Sequence, residues 1–494
     1  MDNSKILKRK TLCGLFWTFS DLVMNQGTQF VIQIILARLL LPEDFGLIGM
    51  IIIVISISNS IVDSGFANAL IREKNVSRTD YSTVFLFNLI ISIFIYIIIF
   101  LLAPSISRFY NEPRLIELLR VLGVTVIINS FGLVQRTILT KKINFKTQTK
   151  INLVSTVISG GAGILFAFVG FGVWSLVIRS IIQSSLQAIL LNLSNKWKPS
   201  FIFDFNSFKK FYGFGWKLLV SGLINTLYNN IYYIIIGKSF SISELGYYTN
   251  ASKLKDMATQ SLNSAIQKVT YPVLSNLNDN DLNLKISYRK ILRAAAFIIF
   301  PIVIGLSAIA NPLIRITYGE KWIGSIIFFQ ILCFEGMLYP IHSINLNVLQ
   351  VKGRSDLFLK LEVIKKILAI LIITTTLFYK LGIIYLLYGA IINSYISYFI
   401  NAYYTRYLIN YSIKDQIIDL LPSFISSIGM LVGVYLFDKI FPSNFILGIF
   451  CRILIGSFIY LIINIVLKTE ELVYLNKKLK KYFNNKVKKD VFYE

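Results

Sequence analysis

Long apolar stretches separated by short polar gaps run along almost the whole chain. A bilayer core about 30 Å thick needs about 20 mostly apolar residues per helix, and the chain offers about fourteen such windows. Apolar and polar residues do not alternate within them as they do in membrane β-strands. The pattern therefore predicts an all-α polytopic membrane protein with about 14 transmembrane helices. The windows lie near residues 13–37, 46–68, 82–106, 115–139, 148–169, 171–193, 215–237, 246–268, 288–310, 322–348, 357–378, 383–405, 417–437 and 445–467.

The composition agrees with this interpretation and excludes an ordinary soluble protein. Of the 494 residues, 55% are hydrophobic and 15% are charged, and the mean hydropathy is +0.65. A typical soluble domain is about 45–50% apolar and about 25% charged. Cys13, Cys333 and Cys451 lie in predicted helices without metal-ligand spacing. We therefore expect no metal site and no cofactor.

The net charge of +25 comes from Lys and Arg residues that fall in alternate gaps. This distribution argues against nucleic acid as a partner, because Lys and Arg in short loops mark the cytoplasmic side of a membrane. We expect both termini in the cytoplasm and a basic tail at 468–494 that contacts anionic lipid. The basic gaps are residues 1–10, 72–78, 141–146, 195–200, 285–293, 352–354 and 476–489.

Two segments, IILARLLLPEDFG and IIIGKSFSISELG, align with each other at a shift of 200 residues. Each follows a predicted helix that starts on the cytoplasmic side. The repeat therefore predicts two six-helix lobes in parallel orientation, and transporters commonly bind substrate where such repeats meet. The aligned pairs are Arg38 with Lys238, Asp44 with Glu244, and Gly46 with Gly246.

The repeat also predicts how the chain is organised. We expect an N-lobe of helices 1–6 and a C-lobe of helices 7–12, followed by two further helices and the basic tail. The corresponding ranges are 1–195 for the N-lobe, 196–214 for a cytoplasmic linker, 215–405 for the C-lobe, 406–467 for helices 13 and 14, and 468–494 for the tail.

The two aligned hairpins suit an outer gate between the lobes. Arg38 and Lys238 would stabilise the C-terminal dipoles of their helices, and Asp44 and Glu244 would meet the basic side chain of the opposite lobe. Each exposed pair contributes only about 0–1 kcal/mol, which lets two states interconvert. The alternative is that both hairpins are ordinary polar turns at the outer interface.

Amide side chains form a polar stripe on one face of two repeat-related helices. Asn25 and Gln29 are four residues apart in the first window, and Asn225 and Asn229 have the same spacing in the seventh. Amides suit sugar hydroxyls, and Lys and Arg suit phosphate. The stripes therefore predict a central polar cavity.

Nine charged residues lie about seven or more residues inside the predicted helices. Each costs roughly 2.5–3.5 kcal/mol at a helix centre, so we expect them to face a wet interior rather than lipid. Arg136, nearer the end of its window, is expected to extend to the interface instead. The nine are Asp21, Arg179, Lys253, Lys255, Asp256, Glu335, Lys365, Lys366 and Arg452.

The buried charges suggest different roles. Arg179 has no acid within four residues on its own helix, so we expect it to line the cavity. Lys365 stands three residues after Glu362, and a local ion pair is the open alternative to a cavity role. Glu335 and Asp21 are candidates for coupling transport to protons or sodium ions, because burial raises the pKa of a carboxyl group. An ion pair with a lysine of a neighbouring helix is the alternative for Glu335.

Several stretches together resemble the Wzx-type O-antigen and capsule flippases, the polysaccharide exporters of the multidrug/oligosaccharidyl-lipid/polysaccharide superfamily. The resemblance extends from about residue 8 to residue 468, and the joint occurrence of its degenerate motifs carries it. The motifs are ARLLLPEDFGLIGM (37–50), DSGFANALIREK (63–74), RTILTKKINFK (136–146), GFGVWSLV (170–177) and ELGYYTNASKLKDM (244–257).

This resemblance implies twelve core helices in two lobes around a central cavity, with two additional C-terminal helices. It implies translocation of an undecaprenyl-diphosphate-linked oligosaccharide from the cytoplasmic to the outer leaflet of a bacterial inner membrane. Arg179, Lys253 and Lys255 fit the cationic cavity of that family. We expect a monomer that works beside polysaccharide polymerase and chain-length proteins.

The sequence leaves two other functions open. One is a polytopic O-antigen polymerase or ligase, but such enzymes resemble one another in a long external loop, and the outer gaps here are short. The only histidine, His342, is interpreted as a packed or edge residue, and the sequence contains no HExxH motif and no phosphate-cradling glycine loop. The other is a cation-coupled drug exporter of the same superfamily. A pump for hydrophobic drugs would be expected to have fewer cationic side chains in its cavity than are predicted here.

Overall fold

A computed structural model describes residues 3–440 and 446–474 of the chain. Every regular element in these ranges is a helix, which confirms the all-α prediction. A short 3-10 helix, Glu320–Trp322, lies between α12 and α13. The α-helices are α1 Asn3–Leu39, α2 Pro42–Asp63, α3 Phe66–Arg72, α4 Arg78–Tyr110, α5 Leu115–Lys141, α6 Phe145–Phe168, α7 Val173–Ser194, α8 Phe205–Asn229, α9 Ile231–Ser239, α10 Ile242–Ser275, α11 Asp281–Ala308, α12 Ala310–Thr317, α13 Ser325–Gly336, α14 Tyr339–Val351, α15 Ser355–Phe378, α16 Ile383–Tyr403, α17 Thr405–Ile409, α18 Ile413–Ile440 and α19 Ile446–Val466.

The predicted windows all fall on helical segments, and the chain is a multi-pass membrane protein. Among the described residues, 10 segments are long and apolar enough to cross a membrane, or up to 11 when α8 and α9 count as one span. These two helices meet at a bend of 41° next to Asn230. The predicted count of 14 is not confirmed. The remaining helices over predicted windows, α1, α10 and α15, carry more polar and charged residues.

The described residues form two compact units, unit 1 up to Thr249 and unit 2 from Asn250, which divide within α10. The sequence analysis predicts a linker at 196–214. In the structure this segment is attached to α4, because the Ser200 and Ser82 hydroxyls lie 2.8 Å apart and the Asp204 amide donates to the Thr83 hydroxyl at 3.0 Å. The predicted lobe boundaries stay a prediction.

Unit 1 is held together by an aromatic core between α3, α4, α5 and α8. Phe66, Phe85, Val134 and Phe211 are among its buried members. The chain enters α3 from α2 through two residues in the left-handed conformation, one of which is Gly65 with φ 71°. This turn lets the apolar face of α3 pack inward, where burial of each large side chain stabilises the fold by about 1.5–3 kcal/mol.

In unit 2, α11 packs against α13, α14, α18 and α19. Its basic end is fixed by ion pairs. Arg289 Nε lies 2.5 Å from Asp419 Oδ2 of α18, and the Nε of Arg293, a residue only 8% exposed, lies 2.5 Å from Glu471 Oε1, which follows α19. Because a buried charge is costly without a partner, these pairs fix the last two long helices, α18 and α19, to the rest of the unit.

Candidate functional site

A polar cavity of about 580 Å³ lies within unit 1, between α2, α3, α5 and α7. Its size is within the range of about 300–1,000 Å³ that is common for ligand pockets. Hydroxyl and amide groups dominate the lining, with one carboxylate and one guanidinium. The polar lining residues are Asn59, Asp63, Asn129, Arg136, Thr137, Ser180, Gln183, Ser184 and Gln187.

Hydrogen bonds across the cavity walls join three helices. Asn129 Nδ2 of α5 donates to Asn59 Oδ1 of α2 at 3.3 Å, and the Arg136 guanidinium of α5 donates to Gln187 Oε1 of α7 at 2.8 Å. Arg136 is exposed and bonds to α7, and its expected extension to the membrane interface stays a prediction. The walls present side chains at fixed positions, which is the arrangement a binding site needs.

The amide residues of this cavity did not emerge from the sequence. Asn59 and Asn129 are single polar positions in apolar helices and carry no pattern of their own. The signal that was available is on α7, where Ser180, Gln183 and Gln187 recur at intervals of three and four residues and so share one face. That stripe resembles the ones in the first and seventh windows.

Arg179 lies on α7 and packs against α6. A Cβ added to Gly163 would lie 3.0 Å from Arg179 Cβ and 3.3 Å from its Cδ, so the glycine makes room for the stem. The Nε atom is buried, and no hydrogen-bond partner for it exists among the described residues. The Nε–H of Arg179 is therefore available as a hydrogen-bond donor. This suits a residue that binds an anion during transport.

Lys255 of α10 contacts two acids that the sequence also singled out. Its Nζ lies 3.0 Å from Asp256 Oδ1 and 3.1 Å from Glu335 Oε2 of α13, and its side chain is 14% exposed. A Cβ at Gly336 would come 2.7 Å from Lys255 Cδ, so a larger residue there would displace the lysine. The candidate phosphate-binding lysine and the candidate coupling acid therefore form one cluster in unit 2.

Hydrogen bonds extend from this cluster into α16. The Ser394 hydroxyl donates to the Glu335 carbonyl oxygen at 3.0 Å, and His342 Nε2 lies 3.3 Å from the same hydroxyl. Asn401 Nδ2 lies 3.4 Å from the other ring nitrogen. His342 is thus part of a polar chain between α14 and α16, a role that its isolated position in the sequence did not reveal.

The other predicted cavity charges lie in several places. Lys365 is 8% exposed and pairs with Glu362 on its own helix, α15, which confirms the local ion pair. Lys253 on α10 and Lys366 on α15 are half-buried. Asp21 falls within α1, and its side chain lies outside the described residues.

The two polar stripes of unit 1 differ in burial. Asn25 on α1 is buried and Gln29 is half-buried, whereas Asn225 and Asn229 on α8 are exposed. The exposed pair lies just before the bend at Asn230, whose side chain donates to the Thr226 carbonyl oxygen at 2.8 Å. The stripe on α8 therefore ends where the helix changes direction.

The two repeat-related hairpins contact each other within unit 1. A Cβ added to Gly46 would overlap the carbonyl oxygen of Ile242, and one added to Gly246 would overlap the carbonyl oxygen of Pro42. Glycine at both positions is what permits so close a backbone approach. The structure thus brings together the two segments that the sequence paired by repeat.

The charged residues of the hairpins make local contacts. Asp44 accepts a hydrogen bond from the Leu41 amide at 2.9 Å, and Glu244 accepts one from the Ser241 amide at 2.9 Å, so each acid caps its own helix. Lys238 donates to the Phe109 carbonyl oxygen at 2.5 Å. Arg38 is exposed at the end of α1. These contacts fix the hairpin shapes, and the glycine packing joins the hairpins.

Comparison with known proteins fits this architecture. The family described as "Polysaccharide biosynthesis protein" matches residues 35–327, which include both hairpins and the cavity of unit 1. The chain belongs to this family. The resemblance to Wzx-type polysaccharide flippases is thereby confirmed, and so is the assignment to polysaccharide biosynthesis.

Two proteins of polysaccharide biosynthesis are similar to the chain over much of its length. It is 28% identical to the teichuronic acid biosynthesis protein TuaB of Bacillus subtilis (strain 168), over 60% of this chain and 62% of that protein. It is 26% identical to the lipopolysaccharide biosynthesis protein WzxC of Escherichia coli (strain K12), over 80% of this chain and 81% of that protein. The match to TuaB thus spans less than two thirds of that relative.

A solved structure shows that the fold of this family member is that of a known transporter. The lipid II flippase MurJ, in an inward closed conformation, aligns with a TM-score of 0.76 and 17% identity, over 93% of this chain and 100% of that chain. At this level of identity the likeness describes the fold alone. The chain therefore shares the helical fold of that structure.

Proposed function

We propose that this protein moves an undecaprenyl-diphosphate-linked oligosaccharide from the cytoplasmic to the outer leaflet of a bacterial inner membrane. The observation that carries the proposal is the polar cavity of about 580 Å³ inside a helical membrane protein of a polysaccharide biosynthesis family. The transporter fold supports it. In this function the protein serves O-antigen, capsule or exopolysaccharide synthesis.

Moving the charged diphosphate head group of the lipid through the hydrocarbon core of a membrane costs a large amount of free energy. An isolated ion transferred to a low-dielectric medium costs tens of kcal/mol. A protein that offers polar side chains to the head, while the prenyl tail stays in lipid, removes most of that cost. Rocking of one helical bundle against another then exposes the head on the other side. No covalent bond is formed or broken, so the activity is transport rather than catalysis.

Arg179 is the first candidate for contact with the diphosphate. Its buried Nε has no hydrogen-bond partner among the described residues, and a guanidinium can bind two phosphate oxygens at once. Lys255 is the second candidate, but its ammonium group already contacts two carboxylates. The ammonium group would have to break its contact with one of these carboxylates to bind phosphate. Its role therefore depends on a conformational change.

The basic gaps support an orientation with both termini in the cytoplasm. In that orientation the α1–α2 and α9–α10 hairpins face outward, and the cavity of unit 1 lies in the cytoplasmic half, because α5 ends at the basic segment 141–146. The coupling ion is a proton or a sodium ion, with Glu335 and Asp21 as the candidate residues. We expect a monomer that passes its product to polymerase and chain-length proteins.

Reconstitution tests the proposal. Purified protein is placed in liposomes with undecaprenyl-diphosphate-linked oligosaccharide extracted from the native host, and impermeant periodate reports the sugars in the outer leaflet. We expect the accessible fraction to rise with time only in liposomes that contain the protein. An unchanged accessible fraction would contradict flipping, longer glycan chains would indicate a polymerase, and ethidium efflux without lipid movement would indicate a drug exporter.

A further inference from the structure

We propose that the cavity of unit 1 is a subsite for the sugar rings of the cargo, separate from the groups that meet its diphosphate. The inference rests on the proposed function and names which part of the cargo binds here. The residues that carry it are Asn59, Asn129, Arg136, Gln183 and Gln187, which come from three helices and line one cavity.

The donors and acceptors of the cavity match a neutral ligand rich in hydroxyl groups. An amide side chain both donates and accepts hydrogen bonds, as a sugar hydroxyl does. The charged lining groups are one carboxylate, Asp63, and one guanidinium, Arg136, so their formal charges cancel. The Arg136 guanidinium is bonded to Gln187 at 2.8 Å. A diphosphate would require an excess of cations here, and an organic cation would require an excess of acids.

Unused hydrogen-bonding groups remain in the cavity. Among the described residues, no hydrogen-bond partner accompanies the Gln183 amide or the Ser184 hydroxyl, and both lie on α7 facing the cavity. The bond between Asn129 and Asn59 uses one donor and one acceptor and leaves the other end of each amide available. Polar groups within membrane-spanning helices are costly unless they bind something. In this proposal the sugar hydroxyls bind these groups.

The apolar part of the lining completes the fit to a sugar ring. Leu133 of α5, Leu191 of α7 and Val62 of α2 contribute aliphatic surface beside the amides. A pyranose ring carries hydroxyls at its edge and C–H groups on its faces, so it uses both kinds of surface. A purely structural set of interhelical hydrogen bonds would instead be expected to close the space between the helices.

Two volume-matched variants, Asn129→Leu and Gln183→Met, test the subsite with two cargoes. One cargo is the full oligosaccharide lipid from the native host, and the other is undecaprenyl diphosphate with a single N-acetylhexosamine. We expect each variant to flip the full cargo at least about tenfold more slowly than wild type, with less than about a threefold change for the single-sugar cargo. Thr374→Val, an exposed residue whose hydroxyl bonds to its own helix, is the control.

Accessibility of one cavity position gives a second measurement that does not depend on transport. Ser184→Cys is made in a background in which Cys13, Cys333 and Cys451 are replaced by alanine, and its labelling by a small maleimide is timed. We expect the oligosaccharide lipid to slow labelling at least about fivefold and the single-sugar lipid to have less effect, because sugar rings occupy the space beside this residue.

The outcomes separate this inference from the proposed function. If wild-type protein flips the full cargo but both variants also flip it at the wild-type rate, the subsite is wrong and the function stands. If both cargoes slow equally in folded variants, the cavity acts on structure or motion and the subsite is again wrong. If wild-type protein flips nothing, the function is wrong, and unaltered maleimide labelling in the presence of cargo then overturns the subsite as well.

Discussion

Gly46 and Gly246, which occupy equivalent places in the two repeated segments, each pack against the backbone of the other segment. The contact is reciprocal: Gly46 lies at the carbonyl group of Ile242, and Gly246 lies at that of Pro42. Because this contact joins glycine to backbone and involves no long interlocking side chains, the two hairpins can separate and reassociate at a low cost in free energy. The outer gate stays a prediction, and this backbone contact is a way of closing it that needs no ion pair.

Replacement of either glycine by alanine should weaken this contact. Gly46→Ala and Gly246→Ala each place a methyl group where a carbonyl oxygen now lies, and overpacking of this kind costs about 1–3 kcal/mol. We expect the hairpins to separate and surface polysaccharide to fall at least about fivefold with normal protein levels in the membrane. Gly161→Ala is the matched control, because nothing lies within 4 Å of a Cβ at that helical glycine. Wild-type export in both hairpin variants would show that the close contact has no role in transport.

A cross-link between the hairpins tests whether they must separate. Ser243 Oγ of one hairpin lies 3.4 Å from Glu43 Oε1 of the other, so cysteines at these two positions are within reach of each other. In a background without Cys13, Cys333 and Cys451, we expect oxidation to join positions 43 and 243, to stop export, and to be reversed by reductant. Each single cysteine variant is the control. A cross-link that forms fully and leaves export unchanged would mean that the hairpins are fixed turns.

Export should fall more when Arg179 is removed than when a residue beside it is changed. Arg179→Ala removes the buried guanidinium, and we expect export to be abolished while the protein still inserts. Arg179→Lys retains the charge but lacks the planar donor pair, so partial export is expected. Gly163→Ala, whose methyl group would press on the arginine stem, should give an intermediate loss. The control is Arg315→Ala, which removes an exposed ion pair with Glu320 that contributes only about 0–1 kcal/mol to stability. Normal export by Arg179→Ala would remove this residue from the mechanism.

The sequence was sufficient to predict the helices, but only part of the site. Apolar windows of about 20 residues and their polar gaps follow from the thickness of the bilayer, so the helical segments appeared where expected. The bend beside Asn230 was not predictable from the sequence, because it interrupts an apolar stretch that contains no proline. Likewise, Asn59 and Asn129 are 70 residues apart, and their hydrogen bond depends on how α2 packs on α5. Composition identifies buried polar residues, but packing decides which of them meet.

Lys255 and Glu335 illustrate the same limit, since 80 residues separate two groups that form one ion pair. Lys255→Met should be the most destabilising change in the cluster, because it leaves both Glu335 and Asp256 without their cation. Glu335→Gln should cost less, since Asp256 still balances the lysine at 3.0 Å. A hydrogen bond between charged groups contributes about 1.5–3 kcal/mol, and partial exposure of the acids reduces this figure. Thermal unfolding in detergent gives the order of the variants, and the double variant Lys255→Met/Glu335→Gln should be more stable than the sum of the single changes predicts.

The same pair decides whether Glu335 couples transport to protons. If Glu335 takes up a proton in the transport cycle, its bond to Lys255 is broken in one state and made in another, and the lysine is then free to meet the diphosphate. Glu335→Gln would remove that exchange, because acidic residues within membrane helices relay protons in transporters, so we expect its export to be low and to lose its dependence on external pH between about 5 and 8. Lys365, paired with Glu362 on α15, offers a control: Glu362→Gln also breaks a lysine–glutamate pair and should leave the pH dependence of export as in wild type. Normal export by Glu335→Gln across this pH range would show that the acid serves only to hold Lys255, and that proton coupling, if present, runs through another residue.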